Sequence, residues 1–74
     1  MPAVKAEWGV QAVGETAGRV WDCLQRNGKT ALTVVEREVD AAPALVHMAI
    51  GWLAREGKLG LQQEGRQAQL WLTE

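Results

Sequence analysis

The run from Pro43 to Leu61, PALVHMAIGWLAREGKLGL, leaves few folds open to the chain that carries it. Leu45, Ala49, Trp52 and Leu53 fall on one face of a helix, Gly57 supplies the residue that ends it, and Leu59-Gly60-Leu61 then switches the period from about 3.6 to 2. A helix that runs straight into a half-buried strand needs helices to pack on and a second strand to pair with. The outward side of the same helix carries Pro43, His47, Gly51 and Ala54, with Ala44 and Arg55 at one edge. Val46, Met48 and Ile50 widen its apolar arc to roughly 200°, about twice what a surface helix needs.

The second strand follows directly. Ala68, Leu70 and Leu72 alternate with Gln69 and Trp71, on the far side of Glu64-Gly65-Arg66-Gln67. Pairing Leu61 with Leu70 and Leu59 with Leu72 puts four leucines on one face and sets Trp71 opposite Gly60, an aromatic over a glycine. A one-residue slip loses both matches.

Upstream, Val10, Val13, Ala17, Val20, Trp21 and Leu24 recur at spacings of three and four, which predicts a helix over about 10–26 that Asn27-Gly28 ends. Glu15 with Arg19, and Asp22 with Arg26, stand one turn apart in acid-first order, so both arginines are expected to have local partners. Gly14 and Gly18 lie a turn apart on this helix, each at a cost of about 1 kcal/mol relative to alanine, which predicts something packed close against that strip. Lys29 to Leu32 has room only for a bridging strand. Thr33-Val34-Val35-Glu36 matches a capping box opening a short second helix that ends near Val39. Asp40 is placed to cap the third helix, with Pro43 in its first turn.

Three helices, a short strand after the first, and a C-terminal two-stranded hairpin make an α+β winged helix-turn-helix. Residues 1–8 show no periodicity and read as a loose tail ahead of one domain over 9–74, although Trp8 is a large apolar group to leave in water. With 74 residues the stability margin is thin. The 47% hydrophobic content argues for a globular chain, and the absence of a long apolar run argues against a membrane span and for the cytoplasm. Cys23 has no cysteine to pair with and lies at the flank of the first helix's apolar face, as a small buried hydrophobe would.

Two segments, GETAGRVWDCLQRNG at 14–28 and GWLAREGKL at 51–59, resemble a family of small uncharacterised prokaryotic winged helix-turn-helix proteins, a domain of unknown function. The resemblance extends over residues 9 to about 65. It implies a winged helix fold and a homodimer, and it brings no catalytic residues with it.

Catalysis is poorly provided for. The chain has no serine and no tyrosine, one cysteine and one histidine, and neither a Gly-rich phosphate loop nor a metal-ligand cluster, so no cofactor, metal or small-molecule substrate is expected. DNA binding is what the fold leads one to expect, with the third helix in the major groove and the wing beside the backbone. Candidate contacts are Ala44, His47, Arg55, Lys58, Arg66 and Gln67. A net charge of −1 gives no basic field over the whole domain, so binding to double-stranded DNA is expected to be weak and strongly salt-dependent unless a dimer doubles the site. The rival class is protein association, with the third helix used for packing. Trp8, Gly14, Gly18, Ile50, Gly51 and Trp71 are its candidate residues, while Trp21 and Trp52 are expected in the core.

Overall fold

The computed structural model describes residues 9–73 of the chain. Its elements run α1 (Val10–Asn27), β1 (Thr30–Ala31), α2 (Leu32–Glu38), α3 (Pro43–Arg55), β2 (Leu59–Glu64) and β3 (Gln67–Leu72). The three strands form one antiparallel sheet in the order β1-β3-β2.

The apolar stripe of α1 buries Ala17, Val20, Cys23 and Leu24 against α3, which turns Val46, Ala49, Ile50 and Leu53 inward. Val35 and Val39 from the α2 side and Leu59 and Leu70 from the sheet complete one core. Full burial of each leucine or valine contributes about 1.5–3 kcal/mol, which holds the short α2 in place despite its two β-branched valines. Asn27 Nδ2 donates to Glu38 Oε1 at 3.0 Å, tying the end of α1 to the end of α2.

The hairpin takes the register predicted for it: Leu59 faces Leu72, Gly60 faces Trp71, and Leu61 faces Leu70. Gly65 has φ +64°, and Arg66 after it is not in the left-handed region, which is the two-residue II′ arrangement that suits a twisted hairpin. Leu59 and Leu70 lie in the core, but Leu61 is 49% exposed. The face is continuous, but the core beneath it ends, so the outer half of the hairpin stands clear as a wing.

Helix starts depart from the sequence reading. Ala31, not Thr33, is the N-cap of α2, because β1 pairs Ala31 with Gln69 and the strand passes directly into the helix. Thr33 is therefore already helical, and its hydroxyl donates to Gln67 Oε1 at 3.5 Å. Asp40 does not cap α3 either. Pro43 holds the residue before it extended, so Ala42 (φ −59°, ψ 140°) takes the cap position with no side-chain bond. The carbonyl of Asp40 instead accepts from Arg19 Nη1 at 2.7 Å, and Glu15, the partner expected for Arg19, accepts from Gln11 at 3.1 Å. Arg26 makes no ion pair with Asp22.

The end of α3 follows the sequence. Gly57, at φ +77°, donates to the Ala54 carbonyl and Lys58 N donates to the Leu53 carbonyl, a left-handed stop that turns the chain directly into β2. Thr73 donates from its hydroxyl to the Gly57 carbonyl at 2.6 Å and from its amide to Lys58 O at 3.2 Å, fastening the last strand to the same corner.

Candidate functional site

Two surfaces emerge from this frame, one on the outward face of α3 with the wing and one in the crease between α1 and α3.

The outward face of α3 is low. Gly51 is exposed with open space where a Cβ would stand, and Ala44 is half-buried on the same side. His47 is exposed, and its Nε2 lies 2.5 Å from Glu36 Oε2 on α2, so the histidine proposed for the groove is held by an acid the sequence did not associate with it. Arg55 and Lys58 are exposed at the far end of the helix, and Arg66 at the tip of the wing; none of the three makes an ion pair among the described residues. The tip stands roughly 20 Å along the hairpin from the end of α3, at about 3.3 Å per residue. Gln67 is also exposed and is partly engaged by Thr33. One further cation, Lys29, bonds Glu64 Oε2 at 2.9 Å and lies 5.8 Å from the Trp71 ring centroid, which removes it from the unpaired set.

The second surface was harder to foresee. Trp52, expected in the core, is 38% exposed: it leans over α1, where a Cβ on Gly14 would come within 3.2 Å of Cζ3, and its Nε1 donates to Glu56 Oε2 at 3.1 Å. Trp21 is half-buried rather than enclosed. Together with Gly18, Leu53 and Lys58 these residues line an open groove of about 400 Å³. Met48 is likewise exposed, at 42%. The physical reason is that α3 is apolar over so much of its circumference that the core can take only part of it. The buried sector centres on Val46, Ala49 and Leu53, leaving Met48 and Trp52 on the rim.

The other interface candidates divide. Ile50 is 7% exposed and belongs to the core cluster, so it offers almost no surface. Gly14 is covered by Trp52, whereas Gly18 has nothing within 4 Å of a Cβ position. Trp71 lies half-buried across Gly60, whose added Cβ would stand 2.6 Å from Cε2. Trp8 lies outside the described residues.

Cys23 is buried as expected. Its thiol stands 3.7 Å from Glu38 Oε1 and accepts from Asn27 Nδ2 at 3.5 Å. Burial pushes the thiol above its ordinary range, with the Asn27 bond acting against it and the Glu38 charge with it. Such a thiol is a poor nucleophile. Among the described residues no cluster of three or more His, Cys, Asp or Glu is placed to hold a metal ion, and no helix is long and apolar enough to cross a membrane.

A short helix, a four-residue turn, a second helix, and a β-hairpin following it in one antiparallel sheet with the short strand define the winged helix-turn-helix class of domain. Within that class, residues 6–72 match the model of the winged helix-turn-helix domain family DUF2582, and the chain belongs to that family. It is 42% identical over 55 residues to the uncharacterized protein MJ1608 of Methanocaldococcus jannaschii, a match covering 70% of this chain and 74% of that one. The solution NMR structure of protein BT2368 from Bacteroides thetaiotaomicron superposes with a TM-score of 0.74 at 27% identity, over 84% of this chain and 76% of that one.

Proposed function

We propose that residues 9–74 act as a non-catalytic DNA-binding module of the cytoplasm, working as a homodimer in regulation linked to DNA, with α3 in the major groove and the wing along the backbone. The observation that carries this reading is the pairing of a low helix face with unengaged cations. Open space over Gly51 and the small Ala44 let the α3 backbone come close to base edges, and Arg55, Lys58 and Arg66 form no ion pair with an acid among the described residues. His47 and Gln67 supply the polar groups able to meet bases or phosphates.

Three cations per subunit predict a modest affinity whose logarithm falls with log salt at a slope of about −3, roughly doubled in a dimer. The test is a titration of mixed-sequence duplex DNA at low and moderate salt, following backbone amide shifts. Shifts concentrated in 43–55 and 59–72 are expected, and Arg66→Ala should reduce the salt slope by about 1 per subunit. A protein whose α3 and wing amides stay unmoved at low salt does not use this face for DNA.

A second reading, protein association, is favoured by one observation: Met48 and Trp52, both on α3, keep much of their apolar surface in solvent.

A further inference from the structure

We infer that the groove between α1 and α3 is where two copies of this chain meet, a proposal that rests on the homodimer reading above and gives that dimer its surface. The argument begins with Gly18. The other glycine of the α1 strip is explained within one chain, since Gly14 lies under the Trp52 ring, but Gly18 sits mid-helix with no positive φ and nothing within 4 Å of a Cβ position. Among the described residues an alanine there would meet no obstacle, and it would serve the helix better. A glycine at an exposed helical position is useful when something from outside comes close to the backbone.

What surrounds Gly18 is suited to that approach. Trp21 flanks it on α1, half-buried, and Trp52 stands across the groove, 38% exposed, so two indoles present apolar surface around a flat floor. Tryptophans around a small-residue floor are the composition of an interface centre.

The rim identifies the partner. It carries one acid and one base, Glu56 and Lys58, and neither is paired with the other or with any other charged group of the described residues. A two-fold axis through the groove brings Glu56 of one copy to Lys58 of the second and the reverse, so the patch is complementary to itself, as an isologous interface must be. A patch of one sign would instead call for an oppositely charged, different partner. The groove lies on the side of α3 toward α1, whereas His47 meets α2, so this pairing leaves His47 and Gly51 outward on both copies. Lys58 then serves the interface, so the phosphate contacts of the dimer fall to two copies each of Arg55 and Arg66, and on this surface the dimer's salt slope is about −4 rather than twice −3.

The experiment is sedimentation equilibrium of the full chain and its variants, with circular dichroism as the folding control. The wild type is expected to be a dimer, and Gly18→Arg, which meets open space among the described residues, is expected to stay folded and weaken the dimer by roughly tenfold or more. Glu56→Lys and Lys58→Glu should each weaken it, and the double exchange should recover it. A dimer indifferent to Gly18→Arg and to both charge changes overturns this surface and leaves the homodimer reading standing. A monomeric wild type overturns both.

Discussion

Gly60→Ala is the sharpest test of the packing described above. An added methyl would stand 2.6 Å from Trp71 Cε2 and 2.7 Å from Cζ2 and Nε1, where carbon contacts normally settle at about 3.5–4.0 Å. The indole must therefore lift by about 1 Å over most of its length, and it cannot do so by rotating a flexible tip, because the atoms met are those of the fused ring. Such overpacking costs about 1–3 kcal/mol, and shifting Trp71 also disturbs the Lys29 ammonium beside it, a contact of about 0.5–1 kcal/mol at an exposed site. Against this, alanine narrows the unfolded ensemble by about 0.4–1 kcal/mol. The net expectation is a loss of about 1–2 kcal/mol, a drop in Tm of roughly 5–15 °C in a domain of this size. Urea and thermal unfolding followed by circular dichroism measure it, with Trp71→Ala completing a double-mutant cycle. In the Trp71→Ala background the obstacle is gone, and Gly60→Ala should be neutral or stabilising. If Gly60→Ala stabilises the intact protein, or costs the same with and without the indole, the close packing of Trp71 on Gly60 is not what that glycine serves.

Two further outcomes follow from burial. Leu70→Ala should cost about 2–5 kcal/mol and Leu61→Ala less than about 0.5 kcal/mol, although both leucines lie on one face of the hairpin; equal losses in denaturant unfolding would show that the wing is not free of the core. For Cys23, burial raises the folded thiol above its ordinary value of 9.0, so the unfolded chain releases its proton first as the pH rises. Its contribution is whole below pH 9 and declines as pH climbs from there through the folded value, so the wild type should lose stability above pH 9 more steeply than Cys23→Ala. Parallel curves would refute it.

How much of this was legible in the sequence depends on how each feature is encoded. Strand register is a strong signal because a period of two sends every side chain to the wrong face on a single slip, so Leu59, Leu61, Leu70 and Leu72 with the Gly60–Trp71 match were enough. Gly28 and Gly57 marked helix ends for the same kind of reason, each needing a backbone conformation that other residues resist. Caps were misread because Thr33 and Asp40 match local patterns while helix starts were decided by β1 pairing at Ala31 and by Pro43. The orientation of Trp52 was misplaced because an apolar arc of roughly 200° has no unique centre; only the neighbour, α1, decides which part is covered. The partners of Arg19 and His47 lie on other elements and leave no trace in spacing. Of the surfaces, the flat outward face of α3 could be read from Ala44 and Gly51, but the groove could not, since it exists only once two helices are laid together.

The joint between β1 and β3 carries a consequence for how the molecule assembles. Two residue pairs, Thr30 with Leu70 and Ala31 with Gln69, close a loop of some forty residues, while β2 and β3 meet across a two-residue turn. The hairpin can form within microseconds on its own account, whereas β1 adds few bonds for a long closure and joins only when α1, α2 and α3 have brought it near. The same inequality applies in reverse: release of β1 breaks only two residue pairs, while Leu59 and Leu70 still hold the base of the hairpin in the core and Thr73 still fastens it to the end of α3. The base of the wing is therefore fixed by core leucines, and it is in the outer half, from the exposed Leu61 to the Gly65 turn, that the domain has room to adjust to a curved or straight surface.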